Sequence, residues 1–444
     1  TGRNQFLTPS AAIIFYYEIL TGMFDLTCLY SFIKTNLSIM LLRKLKPLLF
    51  LSMGVLLFSD CSKTSTMAAA PMPPSTPQVN DDTTPIVTDF NFFSVTGNDT
   101  TLVKGEILMA LNSKTDGKLF FLDQRGSIKR EVSVGTDVEN LQKWNINGQV
   151  RYTYFHSEGV TTLDGTTGTE LGYEMVCDSS LTILDSVKLL SFGNINVNVQ
   201  DKLDVHEFIL LGDKHYIYET YYKELPNNIP DSLHPAVGVK VAACIIQEVL
   251  NGEVIFQWDG TQYPELYSAS QENNNFSDSS TLLDYMHLNS ICVDSSDNNL
   301  VVSFRNLNEI VKLDRQTGQI IWRLGGNHSD FPLTQDQVFL RQHYPRMIEN
   351  NKTLIVLDNG HDSLRAYSRI LEFQLNQSTK TISSFKAFTI PDNFIQFAGS
   401  VKKEGNEYFI GGGSANYSLQ VNYMTGQELM RMSLNYSSYR ALKY

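Results

Sequence analysis

Charge is scarce in this chain of 444 residues: Asp, Glu, Lys and Arg together make up 18% of it, against 42% hydrophobic side chains. That is a globular composition, long enough for one large domain or two ordinary ones. Positive charge is the scarcer sign, with 35 Lys and Arg against 47 Asp and Glu and a net charge of −12. A broad nucleic-acid footprint needs a clustered basic face, so that function class is set aside. An acidic whole can still hold one small anion in a local pocket of Arg and His. Cysteine is rare, five in all, with Cys28 and Cys61 near the start and Cys177, Cys244 and Cys292 far apart. Three in the body exclude a disulfide scaffold, and their spacing matches no metal motif. Tryptophan occurs three times and no two cysteines are adjacent, which weighs against a quinone-dependent dehydrogenase with its tryptophan docking repeat. Strong helical periodicity is missing too, so the expectation is an all-β fold.

The chain begins with Thr1, and residues 1–39 read poorly as folded structure, as upstream sequence would. From Met40 the order changes: a short basic region (Arg43, Lys44, Lys46), an apolar run over 48–58, then Cys61. That is the order of a secretory signal, and the run is short for crossing a bilayer. A cysteine directly after it resembles a bacterial lipoprotein box, from which Asp60 departs. Residues 40–61 are therefore expected to be a signal peptide with Cys61 lipidated. The body would then be exported, as a periplasmic or outer-membrane lipoprotein of a Gram-negative bacterium. Residues 62–88, rich in Pro, Ser, Thr and Ala, cannot bury a core and read as a flexible tether.

From residue 89 to 444 short apolar strands alternate with turn signals. One unit recurs: an apolar strand, an Asp- or Asn-led turn containing Gly, then polar–apolar alternation. It is seen at 120–132 (FFLDQRGSIKREV), 161–174 (TTLDGTTGTELGYE) and 311–324 (VKLDRQTGQIIWRL). Looser copies stand at 248–258, 371–385 and 421–432. Each reads as a hairpin whose turn needs residues that tolerate unusual backbone angles. Six copies predict a six-bladed β-propeller with four strands per blade. A β-sandwich of this length would need two domains, and no linker interrupts 90–444.

Propellers place function around the central channel, so histidines at comparable blade positions are the candidates. His206 in LDVHEFILL, His287 in YMHLNSICV and His343 in VFLRQHYPRM each stand at or just before an apolar strand. Arg305 closes the strand after His287, where a hairpin would return it to the same rim. Three imidazoles make a good zinc site. Against zinc stand the guanidinium beside a dication and the lack of an evident carboxylate nearby. The preferred chemistry is handling of a tetrahedral oxyanion: Arg offers fixed donors, and imidazole serves as nucleophile or acid/base near neutral pH.

The run YMHLNSICVDSSDNNLVVSFRNLNEIVKLDRQTGQIIWRLGG resembles the core of the bacterial arylsulfotransferases that do not use the nucleotide sulfate donor. The shared pieces are His-x-Asn-Ser, Ser-x-Arg, the following hairpin and Trp-x-Leu-Gly. RQHYPRM, VLDNGHDSLRAYSRILEF and, upstream, DVHEF continue the likeness, which covers roughly 200–375. The resemblance implies that His343 is a nucleophile that becomes sulfohistidine, with His206, His287 and Arg305 around the sulfate oxygens. It implies an aryl sulfate ester as donor, a phenol as acceptor, and no cofactor. One of His206 and His287 would serve as acid/base. Asn289 and Arg369 fall on the family pattern as substrate contacts, although the place of Arg369 before an alternating strand suits a structural ion pair equally well, and Tyr285, Tyr344 and Phe339 could wall an aryl pocket. The chain departs from the family in QHYPR and leaves little room for an extra N-terminal β-domain. The competing function is a non-catalytic, surface-tethered binding propeller.

Overall fold

The computed structural model describes residues 78–79, 88–89, 91–97, 102–157, 163–164, 169–390 and 394–444. The upstream segment 1–39, the signal with Cys61 and nearly all of the expected tether lie outside the described residues. Within that tether Gln78–Val79 forms a short strand in register with Glu131 and Arg130. Among the described residues no helix is long and apolar enough to cross a membrane.

Six sheets follow one another along the chain as the blades of a β-propeller. Blade 2 opens with Val138–Ile146, blade 3 with Phe208–Gly212, blade 4 with Leu288–Asp294, blade 5 with His343–Ile348 and blade 6 with Ser400–Glu404. Blade 1 takes its innermost strand from the other end of the chain: Ala441–Lys443 pairs with Ile107–Asn112. Blade 6 is completed at its outer edge by Phe93–Thr96, paired with Gln427–Leu434. Segments 93–96 and 441–443 are thus hydrogen-bonded into blades 6 and 1, and the ring closes at two seams.

Five of the six sequence repeats are the hairpin between third and fourth strands. Asn251, which leads the turn at 248–258, takes the expected left-handed angle at φ 53°, but in the other four the leading Asp or Asn acts through its side chain. Asp123 Oδ1 accepts from the backbone N–H of Arg125 and Ser127, each at 2.9 Å. Asp314 Oδ1 does the same for Gln316 (3.0 Å) and Thr317 (2.7 Å). The left-handed angle falls on Gly126 (φ 80°), Gly318 (φ 76°) and Gly426 (φ 76°), where a side chain would be strained. The repeat at 161–174 is misplaced: it lies between the second and third strands of blade 2. The equivalent hairpin there is turned by Asp178, with Leu181 instead of glycine in the left-handed region at φ 70°.

Most strands are buried on both faces. In blade 4 Leu300 and Val302 pack against Ile246 and Trp258 of blade 3, while Val301 between them packs against Leu354 and Val356 of blade 5. This is why NLVVSF and TLIVLD read as continuous apolar runs. Each such side chain contributes about 1.5–3 kcal/mol of transfer free energy.

Beneath the channel mouth the blades meet on one carboxylate. Glu207 Oε2 accepts from Arg346 Nη2 (2.8 Å), Ser290 Oγ (3.0 Å) and the Ile291 backbone N–H (3.3 Å). Its Oε1 accepts from Arg440 Nη1 at 3.1 Å, and Arg440 Nη2 donates to the Asn289 carbonyl at 3.3 Å. Burial by itself would raise the carboxyl pKa, but Arg346 and Arg440 outweigh it and hold it below the usual value. A depressed folded-state pKa stabilises the fold above the unfolded value, and that stability drains away as pH falls through the folded one. Glu207→Ala leaves two guanidiniums without their carboxylate and is expected to cost about 3–5 kcal/mol in urea unfolding. The variant should also lose part of the wild type's decline in stability below about pH 4.3.

Candidate active site

The starts of the innermost strands surround a cavity of about 640 Å³, lined among others by His206, His287, His343, Arg305, Glu139 and Tyr439. The three histidines come from consecutive blades, as their spacing predicts: His206 two residues before the first strand of blade 3, His287 one before that of blade 4, His343 at the start of blade 5. The ring of His206 lies 5.0 Å from that of His287 and 6.1 Å from that of His343, centroid to centroid.

Local backbone irregularities aim these side chains. His287 itself is left-handed, at φ 55°. Arg305 follows Phe304 directly and begins a single 3₁₀ turn whose backbone N–H donates to the His287 carbonyl at 2.8 Å. That bond returns the guanidinium to the histidine rim. At the start of blade 5 His343 pairs with Leu357 but Arg346 with Ile355, so two residues face one across a bulge. Tyr344 in the bulge is left-handed at φ 53°. Pro345, lacking an N–H, is tolerated on this innermost, edge strand.

Each imidazole is oriented by a hydrogen bond at Nδ1. His206 Nδ1 meets Asp204 Oδ1, and His287 Nδ1 lies 2.5 Å from Asp284 Oδ2. These carboxylates overturn the expectation that none stands near the histidines. His343 Nδ1 lies 2.9 Å from the Gly399 carbonyl. A carbonyl only accepts, so Nδ1 carries the proton and Nε2 the lone pair. Burial, then Arg440 and the neighbouring His206, push the His343 pKa well below the ordinary histidine value, so the ring is neutral at pH 7. Burial also lowers that of His287, despite the opposing pull of Asp284.

Arg305 Nη1 donates to Asn306 Oδ1 (2.6 Å) and Glu272 Oε2 (3.3 Å). Glu272 is shared with Arg341, which also lines the cavity and donates to it from Nε (2.7 Å) and Nη2 (2.9 Å). Asn289 lines the cavity, its Nδ2 donating to the Gln342 carbonyl at 2.8 Å. The other expected substrate contacts lie elsewhere. Arg369 is clamped on Asp358 Oδ2 at 2.9 and 2.7 Å and on the carbonyls of Asp336 and Val338. Tyr285 is buried and stacked on Tyr267 with ring centroids 4.6 Å apart. Tyr344 sits under the guanidiniums of Arg346 and Arg440, and Phe339 packs on Phe373 in the core. Arg341, which flanks His343 in the sequence and there reads either as an attractor of the anion or as a solvated side chain, lines the cavity; the sequence reading missed Glu139, Glu170, Glu272 and Tyr439. One signal was present: LDVH and LDYMH both place an aspartate just ahead of a site histidine.

Among the described residues one group has the geometry to hold a metal ion. Asp204, His206 and Glu219 are buried, with ligand atoms within 4.8 Å of one another. The three histidines considered for zinc do not form such a group.

The Arylsulfotransferase (ASST) family model matches residues 199–442. This chain belongs to the arylsulfotransferase family. No curated protein sequence matches it. Solved structures that resemble it include a protein of unknown function from Bacteroides caccae, 9% identical with a TM-score of 0.41, covering 77% of this chain and 99% of that one. A putative 6-phosphogluconolactonase from Bacteroides fragilis is 9% identical with a TM-score of 0.36, over 78% and 99% of the two chains. Apo AztD from Citrobacter koseri is 8% identical with a TM-score of 0.33, over 77% and 99%. At such scores these likenesses carry no argument about the arylsulfotransferase site.

Glu139 of blade 2 faces the histidines' cavity, accepting from Asn112 Nδ2 (3.1 Å) and the Tyr439 N–H (3.0 Å). Burial, then the charge of Glu170, raise its pKa to about 8. The folded state therefore binds this proton more tightly than the unfolded chain, and stability falls as pH rises from the ordinary Glu value of about 4.3. Glu139→Gln is expected to flatten the pH dependence of the urea midpoint between that value and about 8.

Proposed function

We propose that the protein transfers a sulfuryl group from an aryl sulfate ester to a phenol in two half-reactions, through a sulfohistidine on His343. One observation carries this: a neutral imidazole with its tautomer fixed at Nδ1 shares a cavity with two carboxylate-backed imidazoles and a guanidinium. In the first half-reaction Nε2 attacks sulfur, the S–O bond to the aryl group breaks, and phenolate departs with the bonding pair. In the second a phenol oxygen attacks the sulfohistidine and returns the electron pair to Nε2. Arg305 supplies donors to oxygens that gain charge in the transition state, which is where preorganised donors lower a barrier, and His206 and His287 line the same cavity. One of these two histidines passes the proton to and from the phenol oxygen. The basic–apolar–Cys61 order of the leader supports export and lipid anchoring as part of the same proposal.

Purified protein incubated with 4-nitrophenyl sulfate and phenol should release nitrophenolate in a phenol-dependent manner. Without phenol, the peptide carrying His343 should gain the mass of one sulfuryl group. His343→Asn should abolish both, a loss on the order of 10³-fold or more for removal of a covalent nucleophile. Intact turnover in that variant would remove His343 from its role, and no turnover by wild type across a panel of aryl sulfates would favour the binding propeller.

A further inference from the structure

The nucleophilic nitrogen of His343 already has a neighbour. Tyr439 lies between the last strand of blade 6 and the strand that closes blade 1, and its hydroxyl stands 3.1 Å from His343 Nε2. The same hydroxyl stands 3.3 Å from the main-chain carbonyl of His206. Its main chain is fixed on both sides: the N–H donates to Glu139 Oε2 at 3.0 Å, and the carbonyl accepts from the Gly399 N–H at 3.0 Å. Gly399 is also the residue whose carbonyl sets the His343 tautomer. One glycine therefore holds the nucleophile and the phenol in mutual register. The Tyr439 ring sits edge-on to both imidazoles, at 5.6 Å from His343 and 5.7 Å from His206.

A phenol hydroxyl has one proton, and here two acceptors compete for it. With the Nε2 lone pair free, the hydroxyl donates to it. Once sulfur takes that lone pair the bond is lost, and the proton must find another acceptor within reach. The charged oxygens of the incoming sulfuryl group surround that same spot. Burial raises the phenol pKa well above the usual value, which keeps the hydroxyl a donor throughout.

We propose that Tyr439 is a further catalytic residue: its hydroxyl holds the Nε2 lone pair of His343 in the resting site and donates to a sulfuryl oxygen when sulfur occupies that position. This rests on His343 as the nucleophile. In the step concerned the Nε2–S bond forms, the S–O bond to the aryl group breaks, and phenolate leaves with the pair. Tyr439 keeps its proton and contributes a hydrogen bond alone. The assignment makes two demands of opposite sign. Loss of the hydroxyl slows sulfuryl transfer, because a transition-state donor is gone, yet it uncovers Nε2 towards a reagent that has no sulfate oxygens to bind.

The test uses the full chain and Tyr439→Phe, which keeps the ring and its edge contacts. Mixed rapidly with 4-nitrophenyl sulfate without phenol, the variant should show a nitrophenolate burst about 100-fold slower than wild type, the usual effect of losing one such donor. Treated with diethylpyrocarbonate without any sulfate ester, the variant should be modified at His343 faster than wild type, read by peptide mass. Slower burst with faster carbethoxylation is the expected pair, and any other combination overturns the role of Tyr439. A simple disturbance of packing would move both rates the same way. Wild type that gives no burst and no sulfuryl group on His343 overturns the nucleophile assignment itself, and this proposal with it.

Discussion

The buried carboxylate of Glu207 is the contact on which the site depends. It gathers Arg346, Arg440, Ser290 and the Ile291 amide from three other blades under the channel mouth. Every one of these partners is a near neighbour in sequence of a cavity residue. Glu207 follows His206, Ser290 stands three residues after His287, Arg346 three after His343, and Arg440 directly after Tyr439. Along a strand successive side chains point in different directions, so one residue is sent to the cavity and its neighbour to the ion cluster below. Locking the cluster therefore locks the imidazoles. A carboxylate shared by two arginines is costly to bury and costly to break, which makes it a stiff joint between blades.

Above that joint the cavity is divided in its chemistry. Arg305 and Arg341, tied together by Glu272, stand at one part of the rim, and Glu139 and Glu170 belong to another. A chain of net charge −12 thereby holds a local pair of guanidiniums beside three imidazoles, a set suited to an anion. The carboxylates behind His206 and His287 fix ring orientation by accepting at Nδ1. His343 differs from both in having a carbonyl behind it. Burial, then Arg440 and His206, keep this imidazole uncharged, and the carbonyl fixes its proton at Nδ1.

Much of the fold was readable because hairpins are local. Asp123 and Asp314 cap their turns through amides two to four residues away, and Gly126 and Gly318 take an angle few other residues adopt. Where the local chemistry was unusual the reading slipped. The hairpin of blade 2 uses Leu181 where those of blades 1, 4 and 6 use glycine, so its Asp178 turn went unseen and the copy at 161–174 stood in for it. The same limit explains Arg369, Tyr285 and Tyr344. Their residue types suit a substrate, but their partners Asp358, Tyr267 and Arg346 claim them for the framework.

By itself, then, the amino-acid sequence determined the strands, the turns, the number of blades, the three histidines and Arg305 on successive blades, and the family. These follow from residue type and short-range spacing, which operate within one blade or between adjacent ones. Only the tertiary structure decided what stands beside those histidines. Tyr439 reaches His343 across 96 residues and binds Glu139 across 300, because the last strand of the chain closes the first blade. Such a contact has no spacing to betray it, since it exists only once the ring has shut.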